Sequence, residues 1–493
     1  MNRLAMSSPV RKDLKLIFES SVNAVKPDSL IKSFIQINEN QLLVKTSQNV
    51  EKKFSLNRDV FILGAGKAVL KMCEEFLNQL DSYNNELTNN SQKLTINAGA
   101  LSVPIGSQTT RSSLFAKYNV HYRTGALNNM PDMDSQKNTI EIVDLVKSAK
   151  SCQKNSKTSG TNPLIISFIS GGGSALLSLP KPGLTLDEKC SLISQLVKSG
   201  ANINELNFVR RCLSQVKGGK LAQMAINGPD SVEMISFIIS DIIEDPIELI
   251  ASGPTVVHRT DSEKPSDKAL KILNYFNIEV KDNLKSIILL EDKESDSYDR
   301  NCDNLLHNII IGNNSIALNV AQNTAKELGY KVVFLGNTIK GEARDVANEW
   351  LRIALNYKYS EEDVKNFRGI CWIGGGETTV NMTDSKTGLG GRCQEMGLAF
   401  YRAVYDMQTD GKFYFLCAGS DGQDGPTDAA GVIVENMTKD CDPNQQILKQ
   451  SDIDLRNHNS HHFFKTYYNE WFVKTGITGT NVMDIYCLVK TFS

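Results

Sequence analysis

The feature that most constrains the fold is a repeated rhythm of short apolar runs that end in glycines and precede helix-like patterns. The rhythm recurs from Phe61 to Gly425, in runs such as VFILGAGKA, PLIISFISGGGSA and ICWIGGGET. Apolar strands that alternate with helices are typical of α/β proteins with mostly parallel sheets. The sequence therefore predicts this fold class, with the glycines at the carboxyl ends of strands, where open α/β sheets bind ligands.

The length of 493 residues predicts more than one domain, because ordinary domains have roughly 100 to 200 residues. The charged segment LEDKESDSYDRNCDN at 290–304 lies where one βα series ends and another starts, so we interpret it as a linker. It separates an amino-terminal α/β domain at 11–289 from a carboxyl-terminal α/β domain at 305–493. Three further polar stretches are predicted to be surface loops, at 83–93, 150–162 and 440–462.

Composition excludes several classes of partner. The 54 basic and 56 acidic residues leave a formal charge of -2, which gives no overall attraction to nucleic acid or anionic lipid. Apolar runs such as FIISDII are shorter than the roughly 18 residues of a membrane span. The ten cysteines lie at least 22 positions apart, so no C-x-x-C metal or redox motif exists. We expect a small polar substrate, and a cytoplasmic location with the mitochondrion as the alternative.

The first candidate site is the segment LGAGKA, which ends at Ala68 between a strand and an amphipathic helix. Backbone amides, the helix dipole and the ammonium group of Lys67 can meet there on a phosphate. The segment lacks the Walker A pattern, and Val69 stands where a dinucleotide fingerprint needs its third glycine. A tight turn with a solvated lysine is the structural alternative.

The second candidate is the segment SGGGS at 170–174, which ends the next apolar strand. Three consecutive glycines permit the close backbone approach of an anion, or simple flexibility. Farther along, Glu205 and Asn207 follow two small residues and are expected in a turn that faces inward. Asp241 stands at another strand end as a candidate Mg²⁺ ligand or proton acceptor, with ordinary turn chemistry as an equal alternative.

The second half of the chain adds three motifs. GGGETT follows the strand ICWI, and GLGGRCQE places Arg392 at a helix start, where a guanidinium group can grip a phosphate. SDGQDGPTD carries several carboxylates but lacks the register of an EF-hand loop. The histidines His458, His461 and His462 share one polar stretch, which we interpret as a solvated loop rather than a zinc site.

Taken together, these segments resemble the class II glycerate kinases, whose carboxyl-terminal lobe is called the MOFRL domain. The resemblance runs from about Arg11 to Val489 and rests on collinear motifs: LGAGKA, GALNNMPDMDS, ISGGGSALL, KSGANINELNFVRRCLSQVKGGKLA, ISDIIEDPIELIASGPT, GGGETTV, GLGGRCQE, SDGQDGPTDAAG and TGITGTNVMDI.

The resemblance implies transfer of the γ-phosphoryl group of ATP to a hydroxyl of D-glycerate with Mg²⁺, with 2-phosphoglycerate favoured over 3-phosphoglycerate. It also implies two Rossmann-like α/β/α lobes with the active site in the cleft between them. The family's essential lysine falls on Lys67 and its essential arginine on Arg392, and we assign Asp241 as base or Mg²⁺ ligand. We expect lobe closure to bring the two cations onto one phosphate.

The residues expected to bind nucleotide or substrate lie mostly in the glycine-rich segments: Gly64, Gly66, Ser170, Gly171, Gly172, Gly173, Ser174, Glu205, Asn207, Gly375, Gly376, Glu377 and Asp421. Which glycine-rich turn holds ATP and which holds D-glycerate is left open, as is the oligomeric state.

Three positions depart from the family pattern. Cys393 replaces an asparagine, Glu244 replaces a glycine, and Asn459 with His461 stands near a usual D-S-Y. These departures support one alternative, a catalytically idle nucleotide-binding protein. The other alternative is an NAD(P)H-dependent hydroxypyruvate reductase, against which the interrupted fingerprint at Val69 argues.

Overall fold

A computed structural model describes residues 8–45, 50–88, 93–155, 162–228, 230–257, 264–296, 304–382, 388–405, 407, 411–436 and 445–492. These residues divide into two compact units. We call the first the parallel-sheet unit, with bounds Pro27–Ser240 and Asp245–Ile311. The second is the mixed-sheet unit, with bounds Met1–Lys26, Asp241–Glu244 and Gly312–Ser493.

The helices, in chain order, are α1 (Pro9–Ala24), α2 (Pro27–Phe34), α3 (Val69–Glu86), α4 (Ser112–Lys117), α5 (Met133–Asn155), α6 (Gly173–Leu176), α7 (Leu186–Lys198), α8 (Ile203–Cys212), α9 (Lys220–Ile226), α10 (Pro265–Tyr275), α11 (Asp282–Asp296), α12 (Asn314–Glu327), α13 (Ala343–Asn356), α14 (Glu361–Asn366), α15 (Arg392–Tyr405), α16 (Gln446–Arg456) and α17 (Ser460–Tyr467).

The strands are β1 (Ile35–Asn38), β2 (Gln41–Lys45), β3 (Glu51–Ser55), β4 (Val60–Ala65), β5 (Ala98–Pro104), β6 (Val120–Gly125), β7 (Leu164–Ile169), β8 (Glu233–Ile239), β9 (Leu306–Gly312), β10 (Lys331–Glu342), β11 (Gly369–Thr379), β12 (Phe413–Gly419), β13 (Gly431–Glu435), β14 (Phe472–Val473) and β15 (Asp484–Thr491).

The parallel-sheet unit is built on a sheet of strand order β6-β5-β4-β7-β8-β9, beside a small antiparallel sheet of β1, β2 and β3. Strands β4 and β7 are buried along their whole length. Phe76 of α3 packs on Phe168 at one face, whereas Ile142 of α5 joins the core cluster of Phe61 and Ile165 at the other. Helices on both faces explain why these strands are continuously apolar, and they confirm the predicted α/β class.

The mixed-sheet unit has the strand order β10-β11-β15-β12-β13-β14. Its β10–β11 pair is parallel, whereas the β11–β15, β15–β12, β12–β13 and β13–β14 pairs are antiparallel. This order differs from the mostly parallel sheet that the sequence suggests. Two causes are visible: segment 420–430 is too short for the crossover of a dozen or more residues that parallel neighbours need, and the last strand lies between β11 and β12.

The compact units differ from the predicted domain bounds at several places: residues 241–244 belong to the mixed-sheet unit and residues 305–311 to the parallel-sheet unit. Residues 11–26, placed with the first domain from the sequence, pack in the mixed-sheet unit, where the Tyr330 hydroxyl donates to Asp13 Oδ2 at 2.6 Å and Thr480 Oγ1 donates to the Val25 carbonyl at 2.7 Å. Residues 290–296 of the predicted linker belong to α11, and 297–303 lie outside the described residues.

The three other stretches predicted to be loops are also partly helical, because they overlap the ends of α3 and α5 and the whole of α16, and they include the first residues of α17. No helix in the described part of the chain is both long enough and apolar enough to cross a membrane.

Candidate active site

Two of the predicted anion-binding segments lie side by side at the carboxyl edge of the parallel sheet. Strands β4 and β7 are neighbours, with Ala65 opposite Ile169, so the LGAGKA and SGGGS turns leave the sheet together. The backbone amide of Lys67 donates to the Gly171 carbonyl at 2.9 Å, and that of Ala68 donates to Ser170 Oγ at 3.0 Å. The parallel register thus brings together the turns that the sequence only suggested separately.

The hydrogen bonds decide which donors of the two turns remain available. The amide of Gly66 donates to the Ser102 carbonyl at 3.2 Å, so the amides of residues 66 to 68 all serve internal contacts. Within the described residues, the amides of Gly171 and Gly172 have no acceptor. The Lys67 side chain is exposed. An anion at this edge would therefore meet the Lys67 ammonium group and the glycine amides of the second turn.

Close packing explains the glycines. Gly66 has φ +145°, and a Cβ there would lie 2.2 Å from Ser170 Oγ. A Cβ on Gly173 would lie 2.6 Å from the Cβ of Ala251. A side chain at Gly66 would push the two turns apart, and one at Gly173 would push the SGGGS turn away from Ala251. The glycines are required by the close approach of these backbone segments.

The segment around Ser252 contacts the SGGGS turn at Ser174. The two hydroxyl groups lie 2.9 Å apart, and both residues belong to the parallel-sheet unit. Ala251, Ser252 and Gly253 all have positive φ, at 52°, 64° and 58°. Non-glycine residues in this conformation carry backbone strain, which proteins concentrate at functional sites.

Glu205 and Asn207 lie on α8 and have structural contacts. Glu205 completes a capping box: its carboxylate accepts from the Asn202 amide at 2.8 Å, and its own amide donates to Asn202 Oδ1 at 3.1 Å. Asn207 is buried and accepts a hydrogen bond from Arg210 Nη1 at 3.2 Å. Asn207 thus orients a guanidinium group, and Glu205 starts the helix that carries it.

Arg392 begins α15 in the mixed-sheet unit and is held by two carboxylates. Its Nε and Nη2 atoms donate to Asp484 Oδ2 and Oδ1 at 2.6 and 2.8 Å, and Nη1 lies 3.1 Å from Glu377 Oε1. Burial opposes its charge, but the paired carboxylate of Asp484 still holds the pKa of Arg392 above its ordinary value. The guanidinium group is therefore fixed in place by a bidentate pair.

Asp424 anchors the helix that carries Arg392. Its buried carboxylate accepts from the amides of Cys393 at 3.0 Å and Gln394 at 2.8 Å, which are otherwise unpaired at the start of α15. Burial raises the pKa of Asp424 to about 6, against the opposing effect of these hydrogen bonds. Of the carboxylates in SDGQDGPTD, this one serves as a helix cap.

Carboxylates crowd around Glu377. Burial raises the pKa of Glu377; Arg392 opposes that rise, and the negative charges of Asp484, Asp241 and Asp421 add to it. Asp241 belongs to the short segment that packs with the mixed-sheet unit. Among the described residues, no three His, Cys, Asp or Glu side chains form a ready-made metal site. Mg²⁺ often needs only one or two protein carboxylates besides substrate phosphates, so this donor set suits it.

The glycine-rich segment GGGETT, which the sequence suggests is a turn, forms part of a strand. Gly374, Gly375 and Gly376 lie within β11 and pair with Tyr486, Ile485 and Asp484 of β15. A Cβ on Gly376 would lie 2.1 Å from the Ile339 carbonyl oxygen of β10, so these glycines permit close strand packing. The sequence-based interpretation as a turn is wrong, although Glu377 does stand beside Arg392.

Comparison with known proteins decides the family. Residues 13–289 match the family described as "Domain of unknown function (DUF4147)", and residues 370–484 match the MOFRL family. The chain is 31% identical to a glycerate kinase of Rattus norvegicus over 99% of this chain and 94% of the relative. The chain belongs to the MOFRL-domain glycerate kinase family.

Two prokaryotic relatives extend the likeness. A glycerate 2-kinase of Pyrococcus horikoshii is 30% identical, with coverage of 97% of this chain and 96% of the relative. The solved structure of a glycerate kinase from Thermotoga maritima has a TM-score of 0.73 at 28% identity, and the match covers 98% of this chain and 99% of that one.

The three positions at which the sequence is expected to depart from the family pattern have distinct local environments. Glu244 has φ +68°, a conformation that glycine adopts without strain. The Cys393 side chain is fully buried in the core of the mixed-sheet unit, away from solvent. Asn459 Oδ1 accepts from the Leu389 amide at 3.0 Å and so holds the glycine segment before Arg392.

The three histidines have separate contacts. His458 Nδ1 lies 3.1 Å from Glu395 Oε1, and His461 Nδ1 lies 3.1 Å from Gln394 Oε1. His462 Nδ1 lies 3.2 Å from Asp454 Oδ1. Each imidazole ring thus has its own polar partner. His461 is buried, so the predicted solvated loop describes it poorly.

Sequence reasoning missed Asp484 and Asp424 as the groups that position Arg392. Asp484 is in the motif TGITGTNVMDI, where an aspartate opens an apolar strand, and Asp424 is one of several acids in a glycine-rich loop. The only available signal was a charged residue beside an apolar run, which does not identify its partner.

Proposed function

We propose that this protein transfers the γ-phosphoryl group of ATP to a hydroxyl of D-glycerate, with 2-phosphoglycerate favoured over 3-phosphoglycerate. Membership of a glycerate kinase family over nearly the whole chain supports the reaction class. The observation that carries the proposal is the junction of the two turns, where exposed Lys67 stands beside the available amides of Gly171 and Gly172. Phosphoryl transfer needs such positioned positive charge more than covalent chemistry.

Lys67 supplies a mobile charge. Its backbone is fixed by the bond to the Gly171 carbonyl, while its side chain extends over Gly172, where an added Cβ would lie 3.0 Å from Lys67 Cγ. The ammonium group can therefore follow a phosphoryl group as it moves, while the turn beneath it stays rigid. The glycine amides add hydrogen-bond donors to the same anion.

Arg392 supplies a fixed charge. Two of its nitrogens are committed to Asp484, so the guanidinium plane cannot rotate freely. The third nitrogen, Nη1, faces Glu377. We infer that Nη1 is the nitrogen that contacts an equatorial phosphoryl oxygen. Closure of the protein onto ATP and D-glycerate would bring Lys67 and Arg392 to one phosphoryl group.

Asp241, Glu377 and Asp421 would hold the Mg²⁺ ion of the nucleotide. Mg²⁺ neutralises phosphate charge when it is bound. Burial is the largest cause of the raised pKa of Glu377, and the negative charge of Asp241 adds to it. Asp241 is also our candidate to accept the proton of the glycerate hydroxyl, because it follows β8 at the edge of the parallel sheet.

The test is incubation of the purified protein with ATP, Mg²⁺ and D-glycerate, followed by ³¹P NMR of the product. We expect 2-phosphoglycerate, and ADP release that depends on D-glycerate. ATP binding by calorimetry without such ADP release would contradict the proposal and favour an idle nucleotide-binding protein. NADH or NADPH consumption with hydroxypyruvate, in the absence of ATP, would favour the reductase instead.

A further inference from the structure

A group of basic side chains lines a cavity next to the candidate active site. A cavity of about 390 Å³ in the parallel-sheet unit is lined by Lys189, Lys217 and Arg210, and also by Gly172 and Ser174 of the SGGGS turn. Its volume falls within the range of small-molecule sites. Because Gly172 lines the cavity and also lies under the Lys67 side chain, the cavity opens beside the proposed path of the phosphoryl group.

Lys189 is the unexplained member of this group. It is 4% exposed on α7, and its Nζ atom has no hydrogen-bond partner among the described residues. Burial lowers its pKa to about 8; the neighbouring Cys190 opposes that shift, and the positive charges of Lys220 and Arg210 add to it. A buried ammonium group without a partner is unfavourable, because it loses its hydration and gains no ion pair in return. Such a cost calls for an anion that the protein itself does not provide.

The other two basic side chains, Lys217 and Arg210, have neutral partners, and burial strongly lowers the pKa of Lys217. Lys217 Nζ donates to the carbonyls of Ser174 at 2.6 Å and Leu177 at 3.0 Å, which ties it to the SGGGS turn. Arg210 is held by the amide oxygen of Asn207. No aspartate or glutamate is among the described residues that line the cavity. Three basic side chains therefore converge on a space whose described lining carries no carboxylate.

The cavity also offers an unpaired hydroxyl group. Ser178 lines it, is 1% exposed, and its Oγ atom has no hydrogen-bond partner within the described part of the chain. Asn129 and Met130 of the motif GALNNMPDMDS form another wall. The site is thus suited to a ligand that carries both a carboxylate and a hydroxyl group.

We propose that this cavity is the acceptor site, in which Lys189, with Lys217 and Arg210, binds the carboxylate of a small hydroxy acid. The inference deepens the proposed function, on which it rests for the identity of the acid as D-glycerate. With the carboxylate at Lys189, the hydroxyl end of the acid can face Gly172 and the Lys67 ammonium group. D-glycerate is thereby assigned to the side of the SGGGS turn that faces the cavity, and the opposite side of the turn is left to ATP.

The test uses the full chain, the variant Lys189→Met and the control Lys198→Met, which makes the same change at an exposed position of α7. Calorimetry with D-glycerate, with its neutral analogue glycerol and with ADP measures binding, and steady-state assays give KM for each substrate. We expect Lys189→Met to weaken D-glycerate binding and to raise its KM at least about tenfold, because one charged contact is lost. ADP affinity and the Lys198→Met variant should match the parent.

Other results would overturn the inference. For the parent, these results are an absence of D-glycerate binding, or glycerol binding as tight as D-glycerate binding. For Lys189→Met, they are an unchanged affinity for D-glycerate, or a loss of ADP binding in place of D-glycerate binding. Thermal unfolding separates ligand binding from structural damage, since removal of a buried unpaired charge should leave Tm equal or higher. If the parent binds D-glycerate through Lys189 but transfers no phosphoryl group, the proposed function fails while the cavity assignment stands. If the parent transfers the phosphoryl group and the variant keeps its KM, the cavity assignment fails while the proposed function stands.

Discussion

The two units treat their functional charges in opposite ways. In the parallel-sheet unit, Lys67 is exposed, and Lys189 is buried with no counter-ion among the described residues. In the mixed-sheet unit, Arg392 is held by Asp484 and Glu377, and further acids lie near them. Unpaired cations favour anionic ligands, whereas an excess of carboxylates favours a cation such as Mg²⁺. In the proposed function, this difference would let the parallel-sheet unit bind the substrate anions and the mixed-sheet unit hold Mg²⁺ and a fixed guanidinium group.

The largest expected effect comes from removing either proposed catalytic charge. Lys67→Ala and Arg392→Ala should each lower kcat/KM for D-glycerate by about a hundredfold or more, by analogy with the loss of one oxyanion donor. Matched controls are Lys71→Ala on α3 and Arg402→Ala on α15, which should stay close to the parent. A near-parental rate for Lys67→Ala would show that the charge of Lys67 takes no part in the mechanism.

A smaller effect is expected when Arg392 keeps its charge but loses its fixed position. Asp484→Asn removes the bidentate carboxylate, and we expect kcat to fall on the order of tenfold because a misplaced group transfers poorly. Tm should fall as well, because Asp484 is fully buried. The control Asp428→Asn breaks the exposed pair with Lys474 in the same unit and should change little. An Asp484→Asn variant with parental kcat would show that Arg392 needs no fixed partner.

The smallest effect concerns backbone strain at Glu244. Because Glu244 has φ +68°, Glu244→Gly should raise the free energy of unfolding by about 1 kcal/mol. Glu248→Gly, at an exposed position nearby with no positive φ, should lower it, because glycine increases the entropy of the unfolded chain. Urea unfolding measures the free energy of unfolding of both variants. Equal changes in the two variants would contradict the claim that the backbone is strained at Glu244.

The sequence predicted local features well and distant pairings poorly. Strand β4, strand β7 and the turns after them follow from apolar runs that end in glycine, since each signal lies within a few residues. The position of β15 between β11 and β12 depends on long-range pairing, which no local pattern records. For the same reason Gly374–Glu377 resembled a turn, although the neighbouring strands extend it.

The charged residues show the same limit. Lys67 and Arg392 stand beside glycine-rich signals, but Asp484 is separated from Arg392 by 92 positions and could not be paired with it. Lys189 did leave a local trace: it interrupts the buried stripe of Leu186, Leu192 and Leu196 on α7. A lysine within an apolar helix face is the kind of exception that marks a buried site.

The central claim is that Lys67 and Arg392 act on one phosphoryl group, and a double-mutant cycle tests it most directly. Single-turnover rates of ATP-dependent D-glycerate phosphorylation would be measured for the parent, Lys67→Ala, Arg392→Ala and the double variant. Residues that act as a unit lose little more together than the worse one loses alone, so the double variant should lie close to the slower single variant. Losses that multiply would show that the two charges act independently, and would contradict the account.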